Sequence, residues 1–214
     1  PSIVLMSYPT LYPIDVQSSK VGCWMRDAVI TYLLAQLSHN GGPPIDFLAK
    51  TIWEIDTKQR RTCVAVDATV VPLLQKIVHV DRPSVAQGRS AQPFAPLPRH
   101  ALDALSSFFH AVPVLTTPLL FIPLCDAIVG PADVHVSGTH WSLLEIDRVQ
   151  KRARHWDSAG GLNDDLALQI AAIFGAGCTW QPAAGALGPR QENGTDCGAF
   201  VVATAVGLAT APPG

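Results

Sequence analysis

Charge is what this chain of 214 residues most lacks. Asp, Glu, Lys and Arg make up 15% of it, against roughly 25% in ordinary soluble domains. Lys+Arg 15 against Asp+Glu 17 leaves a formal net charge of -2 with no basic block. A dedicated nucleic-acid binder, or a protein that coats an anionic membrane, needs a basic footprint that is absent here. Long apolar runs are missing as well. The most apolar stretch, Ala111 to Pro131, is broken by Pro113, Pro118, Pro123 and Asp126. A spanning helix needs about 20 nearly uninterrupted apolar residues, so the stretch reads as buried strand and loop. Cys-x-x-Cys pairs are also absent. Cys23, Cys63, Cys125, Cys178 and Cys197 are scattered and odd in number, which argues against a disulfide framework and a zinc ribbon. The expectation is free thiols in an intracellular setting, cytoplasmic and/or nuclear, with no metal and no organic cofactor. The start at Pro1, with no basic n-region behind it, reads as a processed chain or a trimmed domain.

What is present is apolar material: 48% hydrophobic residues and a mean hydropathy of +0.24, enough for one sizeable core and incompatible with disorder as the main state. No internal repeat or low-complexity tract interrupts it. Trp24 to Leu37 carries Ile30, Leu33, Leu34 and Leu37 at helical spacing, with Tyr32 on an adjoining face. Asp46 to Ile55, Val66 to Val78 and His100 to His110 are further helix candidates. Arg82 to Pro98, rich in Pro, Gly, Ser, Gln and Ala, reads as a long surface loop. Strand patterns follow at Leu119 to Leu124, Trp141 to Ile146 and Arg154 to Trp156, the last two flanking the polar turn Asp147 to Arg152 as a hairpin. Asn163 is a candidate cap for a helix through Phe174. Cys178 to Gln181 reads as an edge strand, and Asp196 to Leu208 as a buried helix. Helices, then strands, then a helix predict an α+β domain over 1–214. Its mainly helical part runs to about 115; the sheet and last helix follow from about 116.

Three positions in the second half carry the chemistry. A thiol nucleophile needs a base and a group that orients the base. His140 stands at the start of one predicted hairpin strand and Asp157 just past the end of its partner, so the pairing itself brings carboxylate and imidazole together. Cys197 opens the last predicted helix, where unpaired N–H groups and the positive end of the dipole favour a thiolate. Gln191, six residues earlier in a Gly- and Asn-containing loop, is a candidate oxyanion donor. Taken one at a time, His140 could be a structural histidine, Cys197 a small hydrophobe, Asp157 a turn acid and Gln191 a solvated amide. Together they form the layout of a thiol hydrolase.

Order and local sequence agree with one family. Gly138-Thr139-His140-Trp141-Ser142-Leu143-Leu144, His155-Trp156-Asp157-Ser158 and Gln191-Glu192-Asn193-Gly194-Thr195-Asp196-Cys197-Gly198 resemble the Ulp/sentrin-specific cysteine proteases. Trp24-Met25-Arg26-Asp27 is similar to the family's Trp-Leu-x-Asp at its first long helix. Val4-Leu5-Met6-Ser7-Tyr8 through Asp15-Val16 looks most like the deneddylase branch, whose members act on the Rub/Nedd-type modifier. The resemblance implies a papain-like-related fold with the active site between a helical part and a mixed sheet. It implies Cys197 as nucleophile, His140 as base and acid, Asp157 as the orienter of His140, and Gln191 as oxyanion donor. Trp24 and Trp141 match residues that enclose the Gly-Gly tail of a ubiquitin-like modifier, with Asp27 in the same substrate-binding group. Two indoles that admit only glycine give specificity by exclusion. Three positions depart from the family: Cys125-Asp126 stands where Asn is common, Met25-Arg26 beside Trp24 replaces Leu and Asn, and Thr195 replaces an aromatic.

The expected protein is therefore a monomeric thiol isopeptidase. It cleaves after the Gly-Gly terminus of a ubiquitin-like modifier, with the Rub/Nedd type favoured, from lysine conjugates or from a precursor. A SUMO- or ubiquitin-specific protease, an acetyltransferase of the related bacterial effector type, and a non-catalytic modifier-binding module are the alternatives.

Overall fold

The computed structural model describes residue 17 and residues 25–38, 63–66, 92–109, 114–126, 139–181 and 190–211. The helix candidates Asp46 to Ile55 and Val66 to Val78 lie outside the described residues except for Val66. Among the described residues a five-stranded mixed sheet, in the order β1-β2-β3-β4-β5, runs between helices. Its strands are β1 (Cys63–Ala65), β2 (Leu119–Cys125), β3 (Trp141–Asp147), β4 (Arg152–Trp156) and β5 (Thr179–Gln181); the helices are α1 (Asp27–Ser38), α2 (Arg99–Phe108), α3 (Asp164–Phe174) and α4 (Cys197–Thr210). β2, β3 and β4 form an antiparallel meander, while β1 and β5 pair in parallel at the two edges. The sheet thus takes one strand, β1, from the part of the chain that reads as mainly helical.

Strand alternation sorts the core into two layers. Leu120, Ile122 and Leu124 of β2 with Leu144 and Ile146 of β3 face α2 and α3. Leu119, Phe121, Trp141 and Leu143 face α1 and α4. A strand covered on both faces reads as a continuous apolar run, which is why Leu119–Cys125 shows no polar alternation. Each fully buried Leu, Ile or Phe side chain contributes about 1.5–3 kcal/mol. Pro123 fits within β2 because the β1 pairing ends at Phe121, so the missing N–H breaks no bond to β1.

β3 carries two buried carboxylates, Glu145 and, at its end, Asp147. Glu145 is fully buried. Arg154, its cross-strand partner in the β3–β4 register, clamps it in a bidentate pair with Nε–Oε2 2.8 Å and Nη2–Oε1 2.9 Å. Trp156 Nε1–H donates to Glu145 Oε2 at 2.9 Å, and the guanidinium lies 4.8 Å from the Trp156 ring centroid. With both carboxylate oxygens engaged, the buried charge is tolerated. At the far end of the sheet Arg148 donates to the carbonyls of Thr117, Val114 and Phe174 at 2.6, 2.8 and 2.9 Å, tying the β3–β4 turn to the end of α3.

Candidate active site

Hairpin register builds the first half of the site. β3 starts at Trp141 and β4 ends at Trp156, with Leu143 opposite Trp156. His140, one residue before β3, therefore meets Asp157, one residue after β4. His140 Nε2–H donates to Asp157 Oδ1 at 2.7 Å, both side chains being buried. Asp157 is held in turn by its own turn: Ala159 N–H reaches Oδ1 at 2.8 Å and Asn163 N–H reaches Oδ2 at 3.2 Å. His155, in the same motif, points to the other face of β4, where it bonds Asp164 at 2.6 Å and takes no part in the site.

Cys197 completes the arrangement as the first residue of α4, buried at 1% exposure. It stands beside the His140 imidazole, near enough to help raise the pKa of that ring. Since Nε2 is occupied by Asp157, Nδ1 is the ring nitrogen left for sulfur. The loop before α4 is fixed by Asn193, whose Oδ1 accepts from Thr195 N–H and Asp196 N–H, each at 3.0 Å. This Asx-type turn delivers Asp196 to the helix start. Thr195, in the position where an aromatic is common, bonds Asn193 and Asp196 through its hydroxyl.

The charges follow from this geometry. Burial disfavours the imidazolium of His140, but the hydrogen bonds and charges of Asp157 and Cys197 outweigh it and raise the pKa to about 9. Burial likewise opposes ionisation of Asp157, yet bonds from His140, Ala159 and Asn163 lower its pKa to about 2. At neutral pH the pair is imidazolium and carboxylate, poised beside a sulfur at a helix N-terminus.

Gln191 is stitched to this framework. Its backbone N–H donates to Ser158 O at 3.1 Å and its Oε1 accepts from Ser158 Oγ at 2.7 Å. Nε2 donates to Asn193 O at 2.7 Å; a carboxamide has a second N–H to offer a substrate oxygen. Trp141 is buried at 5% exposure within the apolar layer that includes Met25, Leu143 and Cys197. Its Nε1–H donates to Met25 O at 3.1 Å, so it ties the start of β3 to the start of α1. Trp24 lies outside the described residues, and of Asp27 only its place as the first residue of α1 is described.

Two residues that sequence reasoning did not place in the site belong to it. Asp126 accepts from His140 N–H at 2.8 Å and from the backbone and hydroxyl of Thr139, clamping the segment that presents the imidazole. Asn163 occupies the N-cap position of α3 but makes no side-chain cap bond, contrary to its reading as a cap. Its Nδ2 donates to Ser142 Oγ at 3.0 Å and to His140 O at 3.4 Å. A turn glycine pair followed by Asn, six residues after the acid, was the available signal.

Gly198 sets how closely α4 approaches α1. A Cβ there would stand 2.7 Å from Met25 Cβ and 3.2 Å from Ile30 Cδ1. Met25 Cβ is rooted on the backbone and cannot swing away, so Gly198→Ala must push the helix start, and Cys197 with it. Overpacking of this kind costs about 1–3 kcal/mol, or about 2–4 °C in Tm per kcal/mol at this size. A lower Tm with slower alkylation of Cys197 is expected; an unchanged melt and alkylation rate would show that the interface yields freely.

Cysteine at a helix start, histidine before a central strand and aspartate after its neighbour are the arrangement that Cys-His-Asp thiol chemistry uses. The fold is that of the Ulp1-like cysteine proteases. The SUMO protease Ulp1 with its catalytic cysteine oxidised to a sulfinic acid superposes with TM-score 0.58 at 14% identity, over 98% of this chain and 77% of that one. The sulfenic acid form gives 0.57 and 14%, over 99% and 78%. The Chaetomium thermophilum Ulp1-like SUMO protease catalytic domain gives 0.53 and 20%, over 93% and 68%. No protein-family model and no curated protein sequence matches the chain.

Proposed function

We propose that the protein is a thiol peptidase and isopeptidase that cleaves after the Gly-Gly terminus of a ubiquitin-like modifier. The observation that carries this reading is the buried line from Cys197 through His140 to Asp157 in a fold shared with proteases of such modifiers. In the first half-reaction the His140 imidazolium already holds the Cys197 proton at Nδ1, and the sulfur attacks the carbonyl carbon of the terminal glycine. The tetrahedral oxyanion is met by the Cys197 N–H and by Gln191 Nε2–H, donors of a type worth about 2.7–4 kcal/mol each. His140 returns the proton to the leaving lysine Nζ, the C–N bond breaks and a thioester remains. Water then gives a proton to His140 and adds to the thioester; the C–S bond breaks, releasing the modifier carboxylate and restoring the thiol. Trp24, Trp141 and Asp27 form the glycine-selecting passage in this reading.

The resemblance of the opening segment and of the Gly138–Leu144 string to the deneddylase branch favours the Rub/Nedd type as substrate. SUMO is the second reading, because the structural neighbours are SUMO proteases. The deciding experiment exposes the protein to Rub/Nedd, SUMO and ubiquitin, each carrying an electrophile at its Gly-Gly end, with Cys197→Ala as control. An adduct with Rub/Nedd alone, lost in the control, is expected, and an adduct with SUMO alone reassigns the modifier. No adduct with any, together with acetyl transfer from acetyl-CoA, would replace the proposal with the acyltransferase reading.

A further inference from the structure

Among the described residues, one side chain stands where the bonds that fix the imidazole cross. His140 is held through its peptide on both sides: Asp126 takes its N–H at 2.8 Å, while Asp126 N–H and Asn163 Nδ2 reach its carbonyl at 3.3 and 3.4 Å. Asp157 is held by Ala159 N–H and Asn163 N–H. Asn163 is the residue common to both sets. Its side chain grips the His140–Ser142 segment at the start of β3, and its backbone grips the carboxylate at the end of β4. It is 4% exposed and spends no side-chain bond on capping α3. A cap would have been the ordinary use of Asn at this position.

We infer that Asn163 is a positioning residue for the thiol chemistry, locking the base His140 and the acid Asp157 into one rigid unit. It touches neither substrate nor sulfur. Without its amide the direct side-chain tie from the α3 start to the His140–Ser142 segment is lost, and beyond the β3–β4 ladder the His140–Asp157 bond has to hold the geometry it is meant to use. The imidazole then samples positions away from Asp157, and displacements of about 1 Å at a catalytic group can cost about 100-fold in rate.

The inference rests on the proposed site, but its test does not need the proposed substrate. The groups that set His140 titration are Asp157, Cys197 and Asp126, which face it from β4, α4 and β2. None of them changes in Asn163→Ala, and the Asn163 N–H persists. The primary measurement is the imidazole 15N titration of His140 by NMR. It is paired with the pH dependence of iodoacetamide alkylation at Cys197, read on the Cys197 peptide. In Asn163→Ala the His140 titration is expected about one pH unit lower than in wild type, a tenfold weaker hold on the proton. Where a cleaved modifier is in hand, kcat falls about 10- to 100-fold while KM moves less than about twofold. Ser142→Ala removes one partner of the Asn163 amide and is expected to shift the titration in the same direction by less. It also decides the question if Asn163→Ala fails to fold. An unshifted His140 titration in folded Asn163→Ala, or in Ser142→Ala when that variant alone folds, overturns the inference. A wild type that cleaves no modifier, with the titration still shifted in Asn163→Ala, would sink the proposed function and leave the positioning role standing.

Discussion

Alanine at Cys197 is expected to remove turnover by a factor on the order of 10⁴–10⁶, and alanine at His140 added to it is expected to cost nothing more. The non-additivity follows from the geometry. Cys197 stands beside the imidazole and helps raise its pKa, and the imidazole has Nε2 on Asp157, so the three groups act as a unit. Removing sulfur leaves no nucleophile, and removing the imidazole leaves sulfur with no cation beside it and the leaving amine with no proton donor. The fold should survive either change. Cys197→Ala keeps the backbone of α4 and deletes only a sulfur, and the apolar layer around Val201, Leu143 and Ile30 remains. Single and double variants should be measured by kcat/KM on the modifier that forms the adduct, with thermal melts alongside. Losses that multiply in the double variant would mean that the two side chains act independently. Substantial activity in Cys197→Ala would mean that another group performs the attack.

Much of this site was legible because hairpins are local. The turn Asp147 to Arg152 fixes which residues of β3 and β4 face each other, and that register alone brings His140 to Asp157. The same arithmetic pairs Glu145 with Arg154, a signal present in the sequence but hidden inside an otherwise apolar strand. Cys197 was legible from its place at the head of an apolar helix. β1 was not, since Cys63–Ala65 is three residues long and its pairing with β2 spans a long separation that no local pattern reports. Asn163 was visible as a helix-start residue, yet propensity cannot say whether an Asn side chain caps its own helix or reaches a neighbouring strand. Asp126 was hidden for a related reason: its partners, Thr139 and His140, are brought to it only by the β2–β3 pairing.

Asp157→Asn is the second large effect, and pH reveals its origin. The variant keeps the shape at the end of β4 but removes the negative charge from His140 Nε2. A triad acid replaced by its amide leaves a loss on the order of 10⁴ in kcat in the serine protease case. Here a loss of about 10²–10⁴ in kcat/KM is expected, because Cys197 can still bond Nδ1. The wild-type alkaline limb should fall where the imidazolium loses its proton, near the His140 pKa of about 9. In Asp157→Asn it should move down toward the ordinary value of 6.5. Stability has its own signs. The raised pKa of His140 contributes in full below 6.5 and is lost as pH rises through about 9. The lowered pKa of Asp157 contributes in full above 3.8 and is lost as pH falls through about 2. The Tm advantage of wild type over Asp157→Asn should therefore be greatest between those inner limits, at mildly acidic pH, and shrink on both sides. Melts across pH and the Cys197 alkylation profile measure the two effects separately. A variant whose alkaline limb stayed near that of wild type would show that Asp157 does not set the charge of His140. The raised pKa would then belong to the sulfur alone.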